Sequence, residues 1–441
     1  MKEAVLYFLS FKSYVVLPVI IFILSMVFRI KLSVAIKSAL TIGIGFVGIF
    51  MTFDYFVMVI SPVVQALIER TGLHYNVLDA GWPPLAAIAW AFPLAPALLV
   101  IFMVTNVLLL VLKLTKTVNI DIWNYWHVIL AGAMVFQVTH NPVITIFMSI
   151  IIFIILLKLS EWSAPMVNDM MDMEGICIPH LAGAAYFPFA LIGNKLMNQI
   201  PRFNNINANP DVLKKKLGFF GEPMLLGLIL GAGLSIGAGY NLRSITEIAI
   251  NFAAVIYILP IMCGILGGAL IPVSEGMKIF IRKTFPSMGE TYMGLDVAVL
   301  FGSPSIVVTA LLLIPVALLL AFLLPGINFI PLGDLTALMV PLAFICLATN
   351  GNIIRSFILG IPVIIASLYV ASGFASFYTK MAADSGYQMA EYTGTFTSFL
   401  DGGNFFRAWM VGIASMNPVS LMLIPFGVIL MFVTWKMTRK A

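Results

Sequence analysis

Leu78-Asp79-Ala80-Gly81-Trp82-Pro83-Pro84-Leu85 is too broken to cross a membrane, yet it runs directly into an apolar stretch. Gly294-Leu295-Asp296-Val297-Ala298-Val299-Leu300-Phe301-Gly302-Ser303-Pro304 does the same further along. Each holds Leu-Asp, then Gly and Pro, just before a long hydrophobic run. Two readings are open. Gly and Pro are common turn formers, so both stretches fit surface loops. They also fit re-entrant hairpins, whose irregular backbone is tolerated at membrane depth only where it is buried or lines a watery cavity. The second reading predicts an inverted-topology repeat, with one hairpin entering from each side and the tips meeting near the midplane.

The surrounding composition decides the solvent. Of 441 residues, 61% are hydrophobic and only 10% are charged, and the mean hydropathy is +1.06. Soluble domains carry roughly 25% charged residues, so a water-soluble enzyme is excluded. The 24 Lys+Arg against 19 Asp+Glu give a net charge of +5. That small excess is what the positive-inside rule produces and is not a basic nucleic-acid groove. Cys177, Cys263 and Cys346 lie in or beside apolar runs without CxxC spacing, and no two histidines form an HxxxH pair. Neither a disulfide framework nor a metal site is indicated, and no cofactor is expected.

A helix needs about 20 apolar residues to cross the hydrocarbon. On that measure about eleven candidates stand out: residues 12–28, 38–60, 91–112, 122–138, 141–158, 219–240, 246–271, 305–324, 330–349, 352–374 and 411–435. The first reads as a span, since it lacks the basic start and small-residue cleavage site of a signal peptide. No P-loop is present, which excludes ATP-driven transport by this chain. The expected fold is therefore an all-α polytopic membrane protein. The basic clusters are Arg29/Lys31/Lys37, Lys113/Lys116, Lys195/Arg202/Lys214-Lys215-Lys216, Lys278/Arg282/Lys283 and Lys436/Arg439/Lys440. All fall on one side if the N-terminus is outside and the C-terminus cytoplasmic. Segments 61–78 and 375–410, the latter with Asp384, Glu391 and Asp401, then face outward.

A third broken segment runs from Glu174-Gly175-Ile176-Cys177-Ile178-Pro179-His180 to Pro188. With Lys158 and Lys195 both cytoplasmic, residues 175–194 dip in and return, which places His180 inside the protein. Residues 160–174 read as an amphipathic interfacial helix. The expected organisation is a first half, 1–158, with its hairpin near 78–90. A connecting region, 159–218, follows, and then a second half, 219–441, with its hairpin near 291–304.

Polar groups inside a membrane protein are costly and face the interior. Asp296 and His180 lack any cheap structural explanation. Asn124 and His127 follow Asp121 at the start of a span, and helical spacing puts Trp123, Asn124 and His127 on one face. Alternatives stay open for several residues. Asp121 also fits an interfacial cap, Trp123 and Trp126 fit aromatic-belt anchors, and His140 fits a surface position. Glu222, before Pro223, fits a ligand group or a helix-terminus partner equally well. Asn350 and Asn352 flank Gly351. Carboxylate, imidazole, amide and indole together suit a neutral polyhydroxylated ligand. An anion would want Arg or Lys at the midplane, whereas Arg355 and Arg407 read as snorkelling residues near span ends. The apolar flanks of Cys177 indicate an inert thiol.

The chain resembles the galactitol-type IIC membrane subunit of the bacterial phosphoenolpyruvate-dependent sugar phosphotransferase system, within the ascorbate–galactitol superfamily. The resemblance covers nearly the whole length. Its carriers are Ile42-Gly43-Ile44-Gly45-Phe46-Val47-Gly48-Ile49, Gly81-Trp82-Pro83, Val118-Asn119-Ile120-Asp121-Ile122-Trp123-Asn124 through His127, and Glu174-Gly175-Ile176 to Pro179-His180. They continue with Phe220-Gly221-Glu222-Pro223, Gly294-Leu295-Asp296, Pro325-Gly326, Leu332-Gly333-Asp334-Leu335 and Gly351-Asn352. The resemblance implies a homodimer in the inner membrane, with a dimerisation domain and a moving core of two inverted halves. It implies a ligand surrounded by Gly81, Trp82, His127, His180 and Asp296, with Leu295 and Glu222 close. It also implies soluble IIA and IIB partners, the latter passing a phosphoryl group from a phosphocysteine to the sugar or polyol, with His180 or Asp296 orienting or deprotonating the hydroxyl. The sequence departs from the galactitol pattern at Gly302-Ser303, where that pattern has a histidine after the glycine. It departs again at Leu181-Ala182-Gly183, where the pattern is more polar. The competing readings are a secondary transporter driven by H+ or Na+, with Asp296 or Glu222 as the ion site, and a sensing protein that no longer transports.

Overall fold

The computed structural model describes residues 11, 13–71, 76–204, 208–210, 212, 215, 222–284, 290–385 and 394–439. Lys214, Lys216, Phe220, Gly221, Glu391 and Lys440, which enter the sequence reading, lie outside the described residues.

Two helices open the chain, α1 (Ser13–Val27) and the 40-residue α2 (Leu32–Thr71). The first broken stretch follows as strand β1 (Val77–Asp79), α3 (Trp82–Ala91) and α4 (Ala95–Val111). Helices α3 and α4 bend by 91° at Phe92-Pro93-Leu94, which makes them a broken span or a re-entrant hairpin. Strand β2 (Thr117–Asn119) leads through a 3-10 turn at Trp123–Tyr125 into α5 (Trp126–Thr139) and α6 (Pro142–Met171). Then come β3 (Ile176–Cys177), a single turn at Leu181–Ala184, and α7 (Phe187–Met197).

The succession then recurs. Helices α8 (Pro223–Gly237) and the 43-residue α9 (Leu242–Thr284) match α1 and α2. Strand β4 (Tyr292–Gly294), a 3-10 helix at Val297–Gly302 and α10 (Pro304–Leu323) match β1 with α3 and α4. A 3-10 turn at Thr336–Leu338, α11 (Met339–Ala348) and α12 (Ile353–Asp384) match the turn, α5 and α6. Strand β5 (Thr395–Thr397) and α13 (Phe405–Ala414) match β3 and α7, and α14 (Ile424–Thr438) closes the chain.

The corners between helices repeat as well. His140, at a left-handed φ of 48°, ends α5, and the Asn141 side chain accepts hydrogen bonds from the amides of Val143 and Ile144 to start α6. At the α11–α12 corner Asn350 has φ 50° and Gly351 φ 68°, and Asn352 accepts from the amide of Arg355. An Asn cap meets one of the orphan N–H groups every helix start leaves.

The strands cross between the two successions. β1 pairs in parallel with β5, Leu78 opposite Phe396. β4 lies between β2 and β3, parallel to both, with Gly294 opposite Asn119 and Cys177. These short ladders pair backbone polar groups of the broken stretches with one another. α1, α2, α8 and α9 pack on one another, while α3 to α7 and α10 to α13 gather around the strands.

Among the described residues, six helices are long and apolar enough to cross a membrane, and a seventh span results if the α3–α4 pair is taken as one. Shorter apolar helices, including α8, α11 and α13, accompany them. The chain is thus a polytopic helical protein of the membrane type. Residues 160–171, expected as a separate interfacial helix, continue α6 without a break. One face of this stretch, with Ser160, Ser163 and Ala164, is buried, while Pro165 and Asp169 are exposed, an amphipathic pattern. The last candidate span, 411–435, starts later than expected: α13 ends at Ala414, Met416 turns left-handed, and the span-length helical stretch is Pro418–Thr438, which includes α14.

Candidate functional site

Each hairpin tip presents an aspartate. Asp296 stands just after β4, and its carboxylate accepts from the amide of Ala298 at 2.7 Å, capping the 3-10 helix behind it. The Asn124 side-chain amide donates to Asp296 at 2.6 Å and to Asp121 at 2.7 Å. One NH2 group thus bridges two buried carboxylates from different halves of the chain. The other oxygen of Asp121, Oδ1, is buried without a hydrogen-bond partner. β2 is pinned behind this group by Asn106 of α4, which donates to the carbonyl of Thr117 and accepts from the amide of Asn119. Leu295 is buried, and its amide donates to the carbonyl of Cys177.

Asp79 is the counterpart of Asp296 on the other tip. Its carboxylate accepts from the amides of Gly81, Phe399 and Asp334. Asp334 in turn accepts from the amides of Trp82, at 2.8 Å, and Leu400, and from the Ser398 hydroxyl. Gly81 has φ 71°, and a Cβ placed on it would stand 2.8 Å from the carbonyl oxygen of Gly333. Only glycine combines that φ with so close an approach.

A histidine pair forms a second buried group. His127 Nε2 and His180 Nε2 are 3.2 Å apart, both residues buried. His127 Nδ1 is 3.1 Å from Asp401 Oδ1. Arg407 is fully buried and donates to the same oxygen at 2.5 Å and to the Asp401 carbonyl at 2.8 Å. His180 Nδ1 and Arg407 Nε are buried without partners. The Trp126 ring stacks on His127 at 3.7 Å between centroids and on Trp82 at 6.0 Å. Trp82 keeps 38% of its surface exposed, so the stack runs from the buried imidazoles to an open indole.

The structure thus joins Asn124 to Asp296 and His127 to His180, brings Trp82 to the latter pair through Trp126, and sets Gly81 and Leu295 in the tip backbones. Three expectations are corrected. Asp121 is not an exposed interfacial cap, since it is buried against Asn124. Arg407 does not snorkel, because Asp401 compensates its charge inside the protein. Arg355 is likewise buried, donating to Asn194, Asn198 and the carbonyl of Phe203. Trp123 leaves the Asn124–His127 face and packs on Trp90, because the 3-10 turn breaks α-helical spacing there. Glu222 is the N-cap position of α8, in the α8–α9 pair. His140 is exposed at its corner. Cys177 is buried with Sγ 3.8 Å from the Thr117 hydroxyl. Among the described residues, no group of three or more His, Cys, Asp or Glu is placed to hold a metal ion.

Sequence reasoning missed Asp334, Asp401 and Arg407. The signal was present in Asp401-Gly402-Gly403-Asn404, a polar glycine turn before a short apolar helix. That is the same grammar as the other broken segments.

Span-length apolar helices gathered around crossed strands define a multi-pass protein of the membrane type. Residues 7–391 match the EIIC-GAT family, the PTS system sugar-specific permease component. The chain is 33% identical over 410 residues to the "Putative permease IIC component" of Escherichia coli K12, covering 92% of each chain. It is 30% identical over 442 residues to the PTS system galactitol-specific EIIC component of Escherichia coli K12, covering 99% of this chain and 97% of that one. The galactitol-specific EIIC component of Escherichia coli O157:H7 gives the same figures, 30% identity and 99% and 97% coverage. The chain belongs to the EIIC-GAT family of phosphotransferase-system sugar permease components.

Proposed function

We propose that this chain binds a galactitol-like hexitol or a related sugar and carries it inward, coupled to phosphorylation by a soluble IIB protein that IIA recharges. The observation behind this reading is the pair of buried contacts, Asn124 with Asp296 and His127 with His180, the second linked through Trp126 to the part-exposed Trp82. A carboxylate accepts from paired hydroxyls, imidazole accepts or donates, and an indole face covers the C–H side of a polyol. Asp401 neutralises Arg407, so the buried cation does not call for an anionic ligand.

The recurring succession of elements supports two inverted halves, 1–158 and 219–441, with 159–218 between them. Eleven spans, with the N-terminus outside and the C-terminus cytoplasmic, follow on this reading. The core around the strands moves as a body against α1, α2, α8 and α9, carrying the site from one side to the other. A second copy of the chain completes a homodimer. On the cytoplasmic side the phosphocysteine of IIB gives its phosphoryl group to a ligand hydroxyl, which His180 or Asp296 orients. The product gains close to two negative charges, and their desolvation cost keeps it inside.

The test is uptake of radiolabelled galactitol by vesicles. One set is loaded with phosphoenolpyruvate and the soluble phosphotransferase proteins, and the other receives only an H+ or Na+ gradient. Uptake that requires the phosphate donor, with galactitol phosphate inside, is expected. Unmodified galactitol accumulating with the ion gradient would replace this reading with a symporter using the Asp121–Asp296 pair.

A further inference from the structure

The histidine pair has a direction, set by residues outside the group so far assigned to the ligand. Asp401 Oδ1 lies 3.1 Å from His127 Nδ1. A carboxylate oxygen only accepts, so this contact is attractive when Nδ1 carries the proton. Arg407 also approaches His127 Nδ1, at 3.3 Å, but its nearer partner is Asp401 Oδ1 at 2.5 Å. The guanidinium and the imidazole thus share one carboxylate oxygen. With Nδ1 protonated, His127 Nε2 is a bare acceptor. Its 3.2 Å contact with His180 Nε2 then requires a proton on the latter. His180 Nδ1 is left as a lone pair, and that is the buried atom without a partner. Bases whose tautomer is fixed by a buried carboxylate behind them are a recurrent catalytic device.

We propose that Asp401, held by Arg407, fixes the tautomer of His127 and thereby leaves His180 Nδ1 as the acceptor for the proton of the ligand hydroxyl. The proposal rests on the phosphoryl-transfer reading above. As the hydroxyl oxygen bonds to phosphorus, the P–S bond of the IIB phosphocysteine breaks, and the thiolate leaves with its electron pair. The hydroxyl proton moves to His180 Nδ1. His180 passes its Nε2 proton to His127 Nε2, and the resulting imidazolium rests against the Asp401 carboxylate. Asp401 and Arg407 touch no reacting atom; they are positioning residues. The Trp126 ring over His127 holds the imidazole plane.

The test uses the full chain with galactitol as probe. Replacing Asp401 alone strands a buried Arg407 charge and endangers folding. The informative variant is therefore the pair Asp401→Asn with Arg407→Gln, which removes both charges together. In wild type, nitrogen-15 spectra of histidine-labelled protein are expected to show His127 protonated at Nδ1 and His180 at Nε2. With only four histidines, single replacements assign them. In the double variant the His127 Nδ1–H signal is lost. Galactitol phosphorylation by phospho-IIB falls by about 10²- to 10⁴-fold, while the galactitol dissociation constant changes by less than about fivefold (about 1 kcal/mol). A wild-type His127 protonated at Nε2 overturns the proposal. So does a double variant whose turnover stays within about threefold of wild type, or whose binding and turnover fall in parallel. The spectra need no ligand. A wild-type protein that forms no galactitol phosphate when phospho-IIB is supplied therefore rejects the transport reading, while the spectra judge the arrangement by themselves.

Discussion

Asp79 and Asp296 occupy similar places in the two successions, Asp79 ending β1 and Asp296 standing just after β4, yet they are used differently. Asp79 engages three backbone amides, those of Gly81, Phe399 and Asp334. Asp296 engages one amide and the Asn124 side chain. Asp79 is therefore committed to holding its tip, and Asp296 retains capacity for a ligand. Asp79→Asn replaces one accepting oxygen with a donor facing backbone N–H groups. It is expected to cost about 1–3 kcal/mol, read as a lowered midpoint of thermal unfolding in detergent. Asp296→Asn is expected to keep the fold and weaken galactitol binding at least about tenfold, equivalent to 1.4 kcal/mol. Calorimetric titration of the purified variant checks this, and unchanged affinity removes Asp296 from the site. Gly81→Ala meets both the left-handed φ and the Gly333 carbonyl. A loss of about 1–2 kcal/mol from the backbone alone is expected, with uptake reduced because Trp82 is the next residue. Asp296 and His180 were legible as expensive buried groups. Arg407 was not, because its partner Asp401 lies six positions earlier in a segment that reads as outward loop. Only the fold shows that a charge near a helix end is turned inward.

At the scale of elements, the sequence reveals breaks better than continuity. Gly, Pro and Asn mark both hairpin tips and both helix corners, and those marks become strands, caps and turns in the structure. Residues 160–174 differ from expectation in continuity, since 160–171 extend α6 without a break. Their faces differ as the pattern suggests, with Ser160 buried and Asp169 exposed. Glu161 pairs with Lys158 and accepts from the amide of Lys116, which ties α6 to the turn before β2. The three-residue strands were illegible, since no alternation can show in so short a run, and their partners come from the other half of the chain. The matching corners allow a comparison. Asn141→Ala removes a side-chain cap from two amides of α6 and is expected to cost about 1 kcal/mol. His140 and Asn141 lie outside the site network, so galactitol affinity of the folded variant should stay at the wild-type value. A drop in affinity without a drop in stability would place that corner in the transport path.

At the scale of the molecule, the inverted halves proposed above carry an electrostatic expectation. Corners that correspond by succession must lie on opposite sides of the membrane, so their basic residues should differ. The corner between α4 and β2 carries Lys113 and Lys116, and its counterpart after α10, Leu324-Pro325-Gly326-Ile327-Asn328-Phe329-Ile330, carries no Lys or Arg. Arg29 and Lys31 lie at the α1–α2 corner, while the α8–α9 corner offers Gly239-Tyr240-Asn241 before Arg243. The end of α9 bears Lys278, Arg282 and Lys283, against Arg70 at the end of α2. Under the proposed inversion each richer corner faces the cytoplasm, and equivalent elements take opposite orientations. Single cysteines at Lys116 and at Pro325 test this in a Cys263→Ala background, with Cys177 and Cys346 fully buried. A membrane-impermeant maleimide added to intact cells is expected to label position 325 and to reach position 116 only after permeabilisation. Labelling of both positions from outside would mean that the two halves run in the same sense. The paired hairpins would then enter from one face, and a core that carries its site between the two sides by symmetry-related movements would lose its structural basis.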